Sequence, residues 1–168
     1  AFLDALGPGP LIAVLTRLGL EDQRRLLLCL DPEDAAHLFE RLPEAQAAEM
    51  VERLEPVPAA AIVSELWSAE QADLLGGLTE RHKEAILAAM DPEEAQAARE
   101  LGTYPSDSAG GLMITEHLAY AQSMSVSGVV EDLRENRDHY AHYDIQYAYV
   151  TGSAGKLVGV LRLRDLLI

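Results

Sequence analysis

The sequence predicts a mostly α fold, a right-handed-type superhelix of short stacked α-helices followed by a partial α/β domain. Three observations predict it. Leu30, Leu42, Leu54, Leu66, Leu78 and Met90 stand twelve residues apart without a break over six positions. Each is followed by a stretch that starts helices: "DPED", "PEAQ", "EPVP", "WSAE", "TERH" and "DPEE". After Gly111 the helical period gives way to short alternating segments around one amphipathic helix.

The repeat comes first in the chain. Asp31, Ser68, Thr79 and Asp91 are expected as N-caps, their oxygens accepting from unpaired backbone N–H groups. Pro32 and Pro92 suit the first helical turn, where a missing N–H costs nothing. Glu33, Glu44, Glu70, Glu80 and Glu93 put negative charge at the positive end of a helix dipole. Eight residues past each marker stand Leu38, Met50, Ile62, Leu74 and Ile86, followed by Phe39, Val51, Val63, Leu75 and Leu87. With the marker they form an apolar stripe of helical period. Ala35, Ala47 and Ala59 permit close helix approach. Each repeat is therefore one helix of roughly ten residues, about 15 Å long, plus a corner. Such a helix is marginal alone and must share its core with others in a stack. The preceding "LIAVLTRLGLEDQRRLLLCL" carries the pattern more loosely and supplies one or two further helices.

"YPSDSAGGLM", Tyr104 to Met113, lies at the seam. Pro105 ends the helical run, and Gly110 and Gly111 let the backbone turn tightly. Beyond it "HLAYAQ" reads as a strand and "SVSGVVEDLRENRDHY" as a helix with Val126, Val129, Val130 and Leu133 inward. "DIQYAYVTG" alternates, with Ile145, Tyr147 and Tyr149 on one face; Gly152 to Gly155 forms a turn, "KLVGVLRL" a further strand, and "RDLLI" opens a helix. The divisions are 1–102 for the repeat, 103–113 for a joint and 114–168 for an α/β unit too thin to stand without a partner copy.

Composition narrows the function. Asp and Glu number 28 against 13 Lys and Arg, a formal charge of −15, which excludes phosphate-tracking nucleic-acid binding and adsorption to anionic lipid. Residues 1–102 hold 20 acids and 8 bases, so the charge is concentrated on the repeat. Glu49, Glu52 and Glu55, or Glu65, Glu70 and Asp73, are candidates to line one face, where a divalent cation would relieve their repulsion. Cys29, the single cysteine, sits in "RLLLCL" and is expected as a small buried hydrophobe. No apolar run approaches the ~18 residues that span a bilayer. The chain starts at Ala1 and stops within "LRDLLI", and is read as an excerpt of something longer. No Ser, His and Asp arrangement places a nucleophile beside a base, so no enzyme is expected.

"LDPEDAAHLFERLPEAQAAEMVERL" and "DPEEAQAARELGTYPSDSAGGLMITEHLAY" resemble the amino-terminal cytoplasmic domain of the MgtE family of magnesium transporters. "KLVGVLRLRDLLI" resembles the end of that family's first CBS motif, here incomplete. The resemblance covers about residues 25–168, and the order repeat, "YPSDSAGGLM", CBS motif is its specific part. It implies the Mg2+-sensing part of a membrane channel, in which the acidic helical domain and a CBS pair bind several Mg2+ ions at their interface. Plentiful Mg2+ closes them together and shuts a pore; scarce Mg2+ lets charge repulsion part them. The implied partners are the second CBS motif, the transmembrane domain and a second copy in a homodimer through the CBS domains. The implied location is the cytoplasmic face of the cell membrane.

The resemblance also implies site residues. Glu49 and Asp73 match positions at the ion-rich interface, while a family aspartate four residues before Asp73 falls on Ala69 here. In the joint, Asp107 or a carbonyl freed at Gly111 would meet an ion. Asp165 sits where CBS motifs bind a nucleotide ribose, Arg164 precedes it as in the family, and Tyr147 falls at an adenine contact. That makes ATP a second ligand to test, although Arg162 replaces the usual Ser or Thr, and Asp165 as a plain helix cap explains its position equally. His139 and His142, three apart beside Asp138 and Asp144, have a spacing too unspecific for a transition-metal site and read as a loop. The leading reading is a regulatory region of a magnesium transporter. The alternative is a soluble CBS-containing scaffold or adenosine-nucleotide sensor without a pore.

Overall fold

A helix of eight residues cannot bury enough apolar surface by itself, so its position is decided by what it stacks on. The computed structural model describes residues 8–137, 139–140, 143 and 145–166. They fall in two units that divide between Thr115 and Glu116.

The first unit is a run of short helices: α1 (Pro8–Leu15), α2 (Leu20–Cys29), α3 (Pro32–Phe39), α4 (Glu44–Val51), α5 (Pro56–Val63), α6 (Ser68–Gly76), α7 (Glu80–Leu87) and α8 (Pro92–Leu101). Leu42, Leu54, Leu66 and Met90 are buried at the corners, with Leu30 and Leu78 half-buried beside the same core. The second register is buried throughout: Leu38, Met50, Ile62, Leu74 and Ile86, each with its following residue. Helices pack most closely on the second helix along: α3 on α5, α5 on α7, α2 on α4, α4 on α6 and α6 on α8. Two helices therefore make one turn of the solenoid, and Ala35, Ala47 and Ala59 lie buried within it.

The capping differs in detail from expectation. Asp91 accepts from the Glu93 N–H at 2.8 Å. Asp31 and Thr79 occupy cap positions without a side-chain cap bond, and Ser68 is one residue inside α6, whose cap is Trp67. Cys29 is exposed rather than buried. "RLLLCL" holds more apolar residues than one helical stripe accommodates; Leu27 takes the core, and Leu28 and Cys29 turn outward.

The second unit is a three-stranded sheet in the order β1 (Leu118–Ala121), β2 (Tyr147–Thr151), β3 (Leu157–Arg162). β1 and β2 are parallel, which requires a crossover, and α9 (Val126–Glu135) supplies it. β2 and β3 are antiparallel, with Tyr147 opposite Arg162 and Ala148 opposite Leu161. The turn between them holds Ala154 at φ 62° and Gly155 at φ 70°. Leu118, Tyr120, Val129 and Ala148 form the buried centre. Val126, expected inward, is exposed in the first turn, and the apolar face of α9 begins at Val129. "RDLLI" begins in a short 3₁₀ turn, Leu163–Leu166. Among the described residues no helix is long and apolar enough to cross a membrane.

Candidate functional sites

The stack brings together acids that are distant in sequence. Because α4 packs on α6, Glu44 at the start of α4 meets Glu70 and Asp73 of α6. With Glu40, just after α3, they line a cleft of about 160 Å3 floored by Phe39, Leu66 and Leu74. Asp73 is half-buried there. Ala69, one helical turn earlier, offers no carboxylate.

Glu49 lies on the neighbouring face of α4, in an open depression of about 500 Å3 shared with Glu44, Glu52, Arg53 and Thr79. Its Oε1 accepts from Arg53 at 2.7 Å. Glu49 is exposed, so this pair adds little stability, and a cation there would share the carboxylate with a guanidinium. The expected groupings are kept in part, with Glu55 and Glu65 lining neither depression. Glu49 and Glu52 share one depression and Glu70 and Asp73 another, while Glu44, which belonged to neither expected set, lines both.

Glu52 is held from a distance. Its carboxylate accepts from the Thr79 hydroxyl at 2.6 Å and the Thr79 N–H at 3.1 Å, tying the N-cap residue of α7 to the end of α4. The ring Nε2 of His82 lies 3.3 Å from the Val51 carbonyl oxygen at the end of α4. Burial pushes the Glu52 carboxyl up, but the two Thr79 hydrogen bonds and the nearby His82 outweigh it and hold it below its ordinary value. A similar brace joins Ser64, which ends α5, to Glu94 in α8 at 2.8 Å.

Among the described residues no three of His, Cys, Asp and Glu converge closely enough to hold a metal. Glu49 and Asp73 are on separate depressions. Asp107 is exposed in the 104–113 segment. That segment is compact: the Ser108 hydroxyl donates to the Pro105 carbonyl at 2.7 Å and the Gly111 N–H donates to the Ser108 hydroxyl oxygen at 3.2 Å. Just after it, the Thr115 N–H donates to the Ser68 hydroxyl oxygen at 2.8 Å. A Cβ at Gly111 would run into the Pro105 carbonyl oxygen and stand 2.8 Å from Ser106 Cα. Close approach, rather than a left-handed backbone, is why glycine stands there.

The second unit carries a cleft of about 720 Å3 between the end of α9 and the ends of β2 and β3. Tyr147 and Arg164 both line it, together with Arg134 and Arg162 over an apolar floor that includes Leu133 and Ile145. Asp165 is ion-paired to Arg162, Nε to Oδ2 at 2.9 Å. The cleft's volume lies in the range of small-molecule sites. An aromatic ring and guanidiniums fit the base and phosphates of a nucleotide; Asp165 does not itself line the cleft but is paired to Arg162, which does. The arginine convergence was hidden in the sequence because Arg134 and Arg162 are 28 residues apart.

Behind this cleft Asp132 fastens α9. It accepts from Tyr120 Oη at 2.8 Å and Tyr140 Oη at 3.1 Å through Oδ2, and from the Asn136 amide at 2.8 Å through Oδ1. Burial and this carboxylate raise both phenols above their ordinary value. His139 packs against Tyr140 and Tyr143, its Nε2 3.2 Å from the Tyr143 hydroxyl. Asp138, His142 and Asp144 lie outside the described residues.

Residues 6–107 match the family described as the MgtE intracellular N domain. Over 79 residues the chain is 38% identical to the magnesium transporter MgtE of Thermus thermophilus, covering 47% of this chain and 17% of that protein. Over 82 residues it is 34% identical to the magnesium transporter MgtE of Bacillus subtilis, covering 49% and 18%. The chain thus corresponds to under a fifth of these relatives by aligned length. In fold it is similar to a crystal structure of the cytosolic domain of the Mg2+ channel MgtE in complex with ATP, with a TM-score of 0.82 and 29% identity over 99% of this chain and 67% of that one. The soluble part of a magnesium transporter matches with a TM-score of 0.60 and 26% identity, over 93% of this chain and 66% of that one.

Proposed function

The chain belongs to the MgtE intracellular N domain family, and from that premise we propose that it is the Mg2+-sensing regulatory region of a magnesium transporter or channel. The observation that carries the reading is the charge of the helical stack. Its apolar ladder is buried, and 20 acids against 8 bases lie in residues 1–102. Hydrated Mg2+ held by Glu49 and Asp73 would bridge this surface to a second acidic surface of the full-length protein, with Asp107 and the Gly111 carbonyl as further ligands. Mg2+ keeps several waters and takes one or two carboxylates, so open acidic depressions suit it better than a closed cage. The regulated pore, a second CBS motif and a dimer partner through the CBS domains belong to the full-length protein, whose working place is the cytoplasmic face of the membrane.

The test is limited proteolysis of the full-length protein in chelator, in millimolar Mg2+ and in NaCl of matched ionic strength. Mg2+ alone should protect the acidic region, and Glu49→Gln with Asp73→Asn should raise the Mg2+ needed. Digestion that is identical in chelator and Mg2+ overturns the proposal.

A second ligand is favoured by the cleft of the other unit. There Tyr147 would stack on adenine and Arg164 would face the phosphates of ATP, while Asp165, held at the cleft's edge by its pair with Arg162, would take the ribose hydroxyls. The ATP complex of the similar cytosolic domain supports this reading.

A further inference from the structure

We propose that Arg162 is a latch that makes this cleft select nucleotides by their phosphates rather than by their nucleoside. The inference rests on the nucleotide reading above and specifies its selectivity. Arg162 is the last residue of β3 and stands directly across the ladder from Tyr147, so the two share a face of the sheet at the mouth of the cleft. Its Nε–H donates to Asp165 Oδ2 at 2.9 Å. The carboxylate suited to ribose, which does not itself line the cleft, is thus already engaged by a cation that does.

An uncharged nucleoside has nothing to offer that guanidinium. To use Asp165 it must compete with a charge-assisted hydrogen bond. A phosphate chain changes the exchange. Arg134 from the last turn of α9 and Arg164 from the 3₁₀ turn line the same cleft, so anionic oxygens entering between them meet three guanidiniums. Guanidinium binds phosphate in the two-pronged geometry it uses with carboxylate. Arg162 transfers from Asp165 to phosphate, and the freed carboxylate accepts the ribose hydroxyls. The pair is more than a third exposed on both sides, at 57% and 41%, so separating it is inexpensive once a phosphate replaces it. In a chain of charge −15, three arginines lining one cleft make a local exception that favours an anion.

The experiment is calorimetry of the full chain in chelator with adenosine, AMP, ADP and ATP, repeated for Arg162→Ser, Arg162→Lys and Tyr147→Ala. Affinity should climb along the series, with ATP at least about tenfold tighter than adenosine. Arg162→Ser should weaken ATP by about tenfold while leaving adenosine equal or tighter, and Arg162→Lys should restore part of the preference. Tyr147→Ala should weaken all four ligands together. Equal binding of adenosine and ATP by the wild type, or an unchanged ratio in Arg162→Ser, overturns the latch and leaves nucleotide binding standing. No heat with any of the four overturns both.

Discussion

Replacing Glu52 by Ala should loosen the stack where α4 meets α7, although Glu52 sits in neither helix's apolar stripe. Its carboxylate binds the N-cap residue of α7, accepting the Thr79 N–H at 3.1 Å and the Thr79 hydroxyl at 2.6 Å, the backbone bond being the one the N3 carboxylate makes in a capping box. Loss of a backbone hydrogen bond to a carboxylate costs about 1 kcal/mol, and a half-exposed hydroxyl bond adds a fraction of that. The expected destabilisation is about 1–2 kcal/mol, a fall in Tm of about 3–7 °C for a chain of this size. Urea denaturation and a thermal scan measure it, with Thr79→Val and the double variant completing a cycle. The coupling should be about 0.5–1.5 kcal/mol.

The pH dependence gives a sharper check. The folded Glu52 carboxyl is held below its ordinary value, so its contribution is present above the unfolded carboxylate value and lost as pH falls through the lower folded one. Wild type and Glu52→Ala should differ fully near neutrality and converge as pH drops below about 4. A Glu52→Ala variant as stable as wild type at pH 7, or a difference that grows in acid, would refute the reasoning.

Two further outcomes follow from packing. Ile86→Ala, at a fully buried position, should cost about 2–5 kcal/mol by urea denaturation and bring no change in nucleotide affinity, because Ile86 belongs to the other unit. Gly111→Ala should force the 104–113 segment open, since its methyl would meet the Pro105 carbonyl; faster cleavage between Tyr104 and Thr115 in limited proteolysis is the readout.

The twelve-residue ladder was legible because each marker ends one helix and meets the same core as the next. Spacing along the chain says where helices lie, however, and not which of them touch. Packing on the second helix along joins Glu44 to Asp73, a brace between helices three apart joins Glu52 to Thr79, and neither pairing has a local signature. Thr79 shows why local rules mislead here. By type its side chain should cap its own helix, but its hydroxyl donates to a carboxylate 27 residues away, which also takes its backbone N–H. In the second unit Tyr147, Arg164 and Asp165 were visible singly. The arginine opposite Tyr147 emerges only from strand register, which a one-residue slip would have turned to the other face.

The buried ladder and the acidic surface belong to one argument. Like charges on a flexible chain relieve their repulsion by moving apart. Those on this stack are not free to do so: leucines and isoleucines fix each helix against the second one along, and the Glu52–Thr79 and Ser64–Glu94 braces tie helices three apart. Local ion pairs such as Glu49–Arg53, Glu80–Lys83 and Glu84–Arg99 offset only part of the excess, because the bases of residues 1–102 are too few. A rigid array with unmet negative charge lowers its energy by drawing in cations, and a divalent ion gains most where two such arrays face it at once. Stability of the scaffold is therefore a condition of responsiveness: a stack loosened at α4 and α7 could spread its carboxylates and would have less need of the ion.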